Sequence, residues 1–504
     1  MAIFSDSLAV STAGLVVALA TVVFALKTFI SPTIDPAEPV ALESRIPLVG
    51  HIVSMIRHKA TFYTRLYKRS GLPIYTLPIL NGKLYIINSP GLVQAAMRSN
   101  DISFDPFMVE FSTHMFGLSP KVVEIISRPE VMDDLIDIIH ASLMNESLHQ
   151  MNVKALAYVA SVLNGIRPDE PLRIQDTFLW LRDNMTYAST CAIFGSKNPY
   201  KIEDIPTHWE FDAGAVLLSL NVAPSLVAGK ALAARGKLNQ ILTPFYQAKL
   251  DQGADVSAII RKRAVKLRES GFDDADLGVQ ELMLPWVGNT NTIPALFWLF
   301  AHLFTHPGYL AKVRAEVEAL VVRDGDTATL AASKFEKQLP MLYACYQECL
   351  RMYLHNVGAR RVMADTKVQD TDGREYLLKK GVNIQWPPGV LQHLPSVWGA
   401  DADDFYPERW LGTTTQEEKK RRGAFVPFGG GKHLCPGRKF ALAEILGFVA
   451  TLAVGFEAEG VNLPGHEDPL FGQASRRPVW GGKDRGATIR RREGWENVVW
   501  RFVE

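Results

Sequence analysis

The sequence predicts a mainly α-helical protein with small peripheral β-sheets, preceded by one membrane-spanning helix at the N-terminus. Three observations predict this fold class. The chain has 504 residues, of which 47% are hydrophobic and 21% charged, and this is ample material for a large core. Residues 91–348 have a mostly helical pattern, with short alternating runs typical of strands on either side. Residues 7–26 carry no charge at all.

Charge and cysteine content exclude several classes of function. The net charge is +1, so there is no basic excess that would indicate a nucleic-acid partner. The four cysteines are Cys191, Cys345, Cys349 and Cys435, and no C-x-x-C pair indicates a zinc site or a redox dithiol. Cys345 and Cys349 share one helix face by their spacing, which packing explains. All four fit a reducing compartment.

The uncharged N-terminal run predicts a membrane anchor. As a helix, these twenty residues would span about 30 Å, enough for a bilayer core. A cleavable signal peptide is the rival interpretation, but no basic residue precedes the run and its length exceeds that of a usual signal. Asp6 lies before it and Lys27 after it, which leaves the bulk of the chain in the cytosol. We therefore expect residues 1–30 to be a single-pass anchor in the endoplasmic reticulum membrane, and residues 31–45 a stiff, proline-rich connector.

Residues 46–504 are expected to form one large domain. The alternating runs at residues 74–78 and 83–88 predict a hairpin through Asn81-Gly82, a dipeptide that favours the tight turns of hairpins. Further strands are expected at residues 374–384 and 486–491. The chain between residues 91 and 348 is expected to be helical, with loops at polar or proline-glycine clusters.

The most informative segment is a glycine-rich loop, residues 428–437, which contains Cys435 and precedes an apolar helical run at residues 438–456. A thiolate there would lie at a helix N-terminus, where unpaired N–H groups favour negative charge. Pro436 suits the first helical position, and the glycines allow the backbone to pass close to a flat ligand. These are the requirements of an axial sulfur ligand to haem iron. The alternative is a buried free cysteine beside an ordinary glycine turn.

The spacing of Phe428, Gly431, Cys435 and Gly437 resembles the haem-ligand signature of the cytochrome P450 family. The resemblance implies haem b as the cofactor, with the Cys435 thiolate as its axial metal ligand. It also implies that Phe428, Gly431, His433 and Gly437 contribute to cofactor binding. His433 stands where most members carry an arginine, and its implied role is a hydrogen bond to a haem propionate, with a weaker, pH-dependent charge.

Other charged residues match the same family. Glu348 and Arg351 are spaced i, i+3 on an apolar helix, and buried charges require partners. The resemblance implies a structural cluster of these two residues with Arg409 that braces the ligand loop. Downstream, the resemblance implies a second propionate partner, and Arg360 is preferred over Arg361 from spacing alone. A guanidinium suits this role because it stays charged and binds carboxylates bidentately. The alternative is that these two arginines are solvated.

Residues 284–298 resemble the helix that crosses the oxygen side of the haem, in particular that of the branch containing bile-acid sterol hydroxylases and prostacyclin synthase. Thr290 stands at the position of the usual acid, Asn291 at that of the first threonine, and Thr292 at that of the second. These three are the catalytic candidates. Pro294 cannot donate to the Thr290 carbonyl, so the helix should kink. The alternative role for Asn291 is only to cap or pack the kink.

The resemblance implies a membrane-bound haem-dependent monooxygenase with the haem-thiolate fold. Its expected substrate is a lipophilic small molecule, such as a sterol, terpenoid or other secondary metabolite, oxidised in a biosynthetic pathway. No flavin or nicotinamide domain is visible, so electrons should come from another protein, which the resemblance implies is a membrane-bound NADPH–cytochrome reductase. Basic residues that flank the ligand loop in sequence could form a docking face that attracts the reductase. The alternative is that they are simply solvated. They are Lys419, Lys420, Arg421, Arg422, Lys432, Arg438 and Lys439. The alternative functions are an isomerase or dehydratase of the prostacyclin-synthase type and, more remotely, a non-catalytic haem-binding sensor.

Overall fold

The computed structural model describes residues 32–44, 49–79, 82–468 and 475–504. The expected membrane anchor, residues 1–30, lies outside these ranges. Within them, no helix is both long enough and apolar enough to cross a bilayer.

Most of the described residues are helical, as the sequence predicts. The α-helices, numbered in chain order, are α1 Gly50–His58, α2 Thr61–Ser70, α3 Pro90–Arg98, α4 Asp105–Phe116, α5 Pro120–Ile126, α6 Pro129–Ser142, α7 Asn145–Asn164, α8 Thr177–Phe194, α9 Ile205–Ser219, α10 Pro224–Val227, α11 Gly229–Gln247, α12 Ala258–Glu269, α13 Asp274–Gln280, α14 Met283–Asn289, α15 Thr292–Thr305, α16 Pro307–Leu320, α17 Phe335–Gln338, α18 Pro340–Tyr353, α19 Pro388–Leu391, α20 Pro395–Trp398, α21 Thr415–Arg421 and α22 Arg438–Gly455.

The strands form small sheets. They are β1 Ile74–Ile79, β2 Gly82–Ile87, β3 Ile102–Ser103, β4 Leu172–Ile174, β5 Val322–Asp324, β6 Thr327–Ala331, β7 Gly358–Val362, β8 Thr366–Gln369, β9 Glu375–Leu378, β10 Asn383–Trp386, β11 Phe456–Glu459, β12 Gly465–Glu467, β13 Arg477–Val479, β14 Ala487–Arg491 and β15 Val499–Val503. The strands expected near residues 374–384 and 486–491 correspond to β9, β10 and β14.

One compact unit is drawn from the described residues up to Phe104, together with Val357–Gly399 and Lys419–Val426. Its main sheet has the order β1-β2-β10-β7-β3. The predicted hairpin is confirmed by the antiparallel pairing of β1 with β2, although Asn81 of its turn lies outside the described residues. The described part of the predicted connector packs on this sheet, because Glu38 is buried and forms an ion pair with Lys83 at 2.6 Å.

The other compact unit is drawn from Asp105–Asn356, Ala400–Glu418 and Pro427–Glu504. Its centre is formed by α15, buried from Thr292 to Leu303, and by α22, buried from Leu442 to Gly455. Helix α15 packs against α8, α18 and α22, while α22 also packs against α7 and α16. Two helices buried on all sides form the interior of a large helical protein.

The C-terminal strand is part of this second unit. Strand β15 pairs in parallel with β6, and Trp500 stacks on Trp495 with the ring centroids 5.3 Å apart. Just before the strand, the Val498 carbonyl accepts a hydrogen bond from the buried Arg491 at 2.6 Å. The final residues of the chain are therefore packed and hydrogen-bonded.

Candidate active site

The glycine-rich loop ahead of α22 folds back on itself and brings Cys435 to the N-terminal end of that helix. The Cys435 N–H donates to the Phe428 carbonyl at 2.9 Å, and one 3₁₀ turn, Gly431–His433, lies between them. Gly429 and Gly431 have φ angles of +70° and +63°, which would strain any other residue. The loop conformation therefore requires glycine at both positions.

The start of α22 differs from the sequence-based expectation. Pro436 was expected at the first helical position, but the helix begins at Arg438 and Gly437 is its N-cap. The residues before the helix form a turn instead. This turn points the N–H groups of Gly437 and Arg438 at the Cys435 sulfur, which accepts hydrogen bonds from both.

Burial is the largest influence on the Cys435 thiol, and it raises the pKa of that group. The two N–H donors and the charge of Arg438 act in the opposite direction but do not outweigh burial. The position at the helix N-terminus therefore does not ionise the thiol by itself, contrary to the simplest expectation from the sequence. A metal ion would do so, because a coordinating thiol loses its proton.

The donors around Cys435 fit a haem. A Cβ at position 437 would be in van der Waals contact with the Cys435 sulfur, at 3.9 Å, so glycine there keeps a side chain away from the sulfur. In the part of the chain that the structure describes, no three His, Cys, Asp or Glu side chains converge to hold a metal ion. A single sulfur cannot complete the four-coordinate shell of zinc. It is sufficient for an iron that brings its own macrocyclic nitrogen ligands.

Two basic side chains of the loop face Asp105, the first residue of α4. Lys432 donates to its carboxylate at 2.6 Å, and the His433 Nε2 lies 3.3 Å from the other carboxylate oxygen. The His433 side chain is thus directed at a protein carboxylate in this structure. Its hydrogen bond to a haem propionate stays a prediction.

The predicted cluster of Glu348, Arg351 and Arg409 is present and buried. Arg351 donates to Glu348 through two nitrogens, at 2.7 and 2.9 Å, and Arg409 donates to it at 3.0 Å. The Trp410 indole N–H adds a further bond at 2.9 Å. Arg351 also donates to carbonyls at residues 402 and 404. The cluster therefore fixes the chain from residue 402 to residue 410 against α18.

The two candidate arginines of β7 point to opposite faces of the strand, as successive residues must. Arg360 is only 7% exposed, and its guanidinium carbon lies 5.2 and 5.3 Å from the ring centroids of Phe104 and Trp386. Arg361 donates to Asn383 at 3.0 Å. Neither is a solvated arginine. A guanidinium held between aromatic rings suits a carboxylate ligand, but the propionate role of Arg360 stays a prediction.

The oxygen-side helix is interrupted, as expected from Pro294. Helix α14 ends at Asn289 and α15 begins at Thr292, so the kink is a break of two residues. The Thr292 hydroxyl donates to the Gly288 carbonyl at 2.8 Å across this break. In a regular helix the Gly288 carbonyl would accept a hydrogen bond from a backbone N–H. Here the Thr292 hydroxyl, one turn further on, donates to it.

Asn291, in the break, contacts a distant part of the chain. Its side-chain oxygen accepts a hydrogen bond from Ser475 at 3.4 Å, and Ser475 itself bridges to Leu354. Asn291 precedes α15 but makes no side-chain capping bond to it. Of the two structural alternatives for Asn291, the structure therefore favours packing over capping.

Comparison with known proteins identifies the family. The sequence profile described as Cytochrome P450 matches residues 40–473. A cytochrome P450 monooxygenase of Gibberella zeae is 35% identical over 502 residues, which cover 96% of this chain and 95% of that protein. The chain belongs to the cytochrome P450 family.

Two further similarities support this P450 assignment. The 25-hydroxycholesterol 7-alpha-hydroxylase of Rattus norvegicus is 28% identical over 45% of this chain and 56% of its own. The retinoic acid-bound structure of cyanobacterial CYP120A1 has a TM-score of 0.67 at 20% identity, covering 90% of this chain and 99% of that one, and so shows a shared fold. The predicted P450 fold, the monooxygenase class and a haem held by a cysteine thiolate are confirmed.

Asp212 of this P450 was missed in the sequence. It lies on α9 and accepts hydrogen bonds from Trp286 and Thr290, both at 2.9 Å. It also forms an ion pair with Arg477 of β13. The sequence feature that could have indicated this role is the position of Asp212 directly before an apolar helical run, residues 213–218. An acidic residue there suggests a buried carboxylate with distant partners.

Glu444 was also missed. It lies on α22, in the second turn of the helix, and is fully buried. One of its oxygens is 2.7 Å from the Ser189 hydroxyl, and the other has no hydrogen-bond partner among the described residues. Burial raises the pKa of Glu444 to about 8. The signal was a single charge within an otherwise uncharged run, residues 440–456.

Proposed function

We propose that this P450 hydroxylates or otherwise oxidises a lipophilic small molecule in a biosynthetic pathway, with a sterol, terpenoid or related secondary metabolite as substrate. Support comes from the oxygen-side helix, which resembles that of bile-acid sterol hydroxylases, and from the similarity to a hydroxylase named for 25-hydroxycholesterol. Electrons would come from a separate NADPH–cytochrome reductase.

The observation that carries the proposal is the position of Cys435, which we assign as the axial metal ligand. When held there, the haem activates dioxygen so that one oxygen atom enters the substrate. The N–H groups of Gly437 and Arg438 donate hydrogen bonds to the sulfur, and such bonds adjust how much electron density the thiolate would give to the iron. Cys345 and Cys349 are poorer candidates, because both are buried within α18 and burial raises the pKa of each thiol strongly.

The remaining assignments follow from position in the chain. We assign the cofactor contacts to Phe428, Gly431, His433, Gly437 and Arg360, and the oxygen-side roles to Thr290, Asn291 and Thr292. Since the Thr292 hydroxyl donates to a backbone carbonyl, its lone pairs can accept a hydrogen bond from a water or a substrate hydroxyl. The side chains of the break itself carry hydroxyl and amide groups, and the carboxylate bonded to Thr290 comes from Asp212 on α9.

The ligand assignment is tested by the spectrum of the reduced protein under carbon monoxide. Cys435→Ser should lose the red-shifted Soret band of thiolate ligation, whereas Cys349→Ala should retain it. Turnover should require NADPH, reductase and dioxygen together. A red-shifted band in folded Cys435→Ser would disprove the assignment, and full turnover without reductase would support an isomerase instead.

The residues of the predicted docking face differ in exposure. Arg438 is half-buried and donates to the Cys435 carbonyl at 3.0 Å. Lys432 and Lys439 are 65% and 45% exposed, and Lys439 is paired with Glu336. We propose that Lys439 contributes to docking. Lys439→Gln should slow reductase-driven turnover and spare a peroxide-driven reaction, and an equal loss in both assays would contradict this role.

We also propose that residues 1–30 anchor the protein in the endoplasmic reticulum membrane and leave residues 46–504 in the cytosol. The support is the uncharged run at residues 7–26 with positive charge after it. Deletion of residues 1–30 should release the protein from the membrane fraction. Retention of the shortened protein in that fraction, at unchanged haem content, would contradict the anchor.

A further inference from the structure

Asp212 places a carboxylate at the break of the oxygen-side helix, although it belongs to a different helix. Its side chain is 1% exposed, and a buried carboxylate is tolerated only with good partners. Two of its partners, Trp286 and Thr290, lie one turn apart at the end of α14. A third, Arg477, comes from β13. Asp212 therefore joins α9, the end of α14 and β13 at one point.

The surroundings of Asp212 suit an anion. Arg477 is a permanent cation, and its guanidinium carbon also lies 5.7 Å from the ring centroid of Trp209. His208, one turn earlier on α9, is fully buried, and burial lowers its pKa to about 4, so it is neutral at physiological pH. From α8, Arg182 lies 6.0 Å from the same Trp209 ring. Arg182 is paired with its neighbour Asp183 at 2.7 Å, so the positive charge that complements the Asp212 carboxylate is that of Arg477.

The Thr290 hydroxyl has two acceptors in reach but only one proton to donate. The Asp212 carboxylate and the Trp286 carbonyl are both 2.9 Å away. A charged acceptor makes the stronger hydrogen bond, and the Trp286 carbonyl already receives the Thr290 N–H at 3.1 Å. The hydroxyl therefore donates to Asp212, which leaves its lone pairs free to accept from another group.

We infer that Asp212 is a positioning residue for the oxygen chemistry, and that it acts through Thr290. Thr290 stands at the position where the sequence comparison expects an acid, and Asp212 supplies a carboxylate to that same hydroxyl from α9. Asp212 thereby holds the end of α14 in place and fixes the break at which Asn291 and Thr292 lie. The inference rests on the proposed place of this break beside the haem.

The test compares Asp212→Leu with Asp251→Asn in the haem-loaded enzyme. Asp251 is the matched control, since it is an equally buried carboxylate paired with Arg268 at 2.7 Å. Hydrogen exchange across residues 283–296 and imidazole binding to the iron are measured in each. Asp212→Leu should speed exchange at the break about tenfold, as expected for loss of charge-assisted bonds, and should shift the imidazole affinity. Asp251→Asn should change neither.

A second variant guards against misfolding and tests the route through Thr290. If Asp212→Leu does not take up haem, Asp212→Asn, of the same size, is used instead. Adding Thr290→Val to either variant should have little further effect on exchange or imidazole affinity. Additive effects, or unchanged exchange in the Asp212 variant, would overturn the inference. Faster exchange at unchanged imidazole affinity would also overturn it, while the Cys435 spectrum would show independently whether the proposed haem site stands.

Discussion

The fully buried Glu444 provides a stability test that depends on pH. Because burial raises its pKa to about 8, the carboxyl group is protonated in the folded protein at neutral pH. A protonated Glu444 can donate to the Ser189 hydroxyl, which can then donate to the Met185 carbonyl 3.0 Å away. We predict that Glu444→Gln, which keeps the shape without an ionisable group, stabilises the protein at neutral pH.

The size of the effect follows from the difference in pKa between the two states. The unfolded carboxyl group has a pKa of 4.5 and the folded one about 8, so the folded state binds more protons between these values and stability falls as pH rises. One pKa unit corresponds to about 1.4 kcal/mol, so ionisation in the unfolded state costs on the order of 3 kcal/mol of stability at pH 7. Below the unfolded pKa this loss vanishes.

The assay is urea unfolding of the haem-loaded wild type and Glu444→Gln. Near pH 4.5 the two should differ little, whereas near pH 7 the variant should gain up to about 3 kcal/mol, since it has no carboxyl group to ionise. Glu348→Gln is the contrasting variant, because Glu348 lies in an ion-paired cluster. If Glu444→Gln lost stability equally at both pH values, the change in stability would not come from the ionisation of Glu444, and the reasoning would be refuted.

Three further outcomes are expected. Glu348→Gln should lose about 3–5 kcal/mol in urea unfolding, because breaking a buried ion pair strands its partners; a loss below about 1 kcal/mol, as for a surface pair, would contradict this role. Pro294→Ala restores an N–H that can reach the Thr290 carbonyl, so hydrogen exchange at the break should slow. Unchanged exchange would show that the proline does not cause the break. Asn291→Leu should sharply change turnover at normal haem content, and unchanged turnover would remove Asn291 from the mechanism.

Features set by nearby residues could be predicted from the sequence. The hairpin of β1 and β2, the apolar helix after the ligand loop and the helix break before Pro294 all depend on local spacing or on one proline. The cluster of Glu348 with Arg351 is also local, three residues apart. Its third member, Arg409, was found only because the family resemblance pointed to it.

Features that depend on distant parts of the chain could not be predicted. Asp212 and Arg477 are 265 positions apart, and no local pattern shows that β13 returns to α9. The late start of α22 was missed for a different, local reason. The N–H groups of Gly437 and Arg438 donate to the Cys435 sulfur, and the helix begins only at Arg438. Burial decides the protonation of Glu444, and burial is a property of the packed molecule.

The packed C-terminal strand has a practical consequence for recombinant work. Trp500 and Phe502 are buried on β15, and the backbone N–H of Trp500 donates to the side-chain oxygen of Asn164 at 2.8 Å. A purification tag fused directly after Glu504 would emerge from an ordered edge strand, so it needs a flexible spacer. Trimming the last six residues would remove the strand altogether and uncover the apolar surface beneath it, so such truncations should yield insoluble protein.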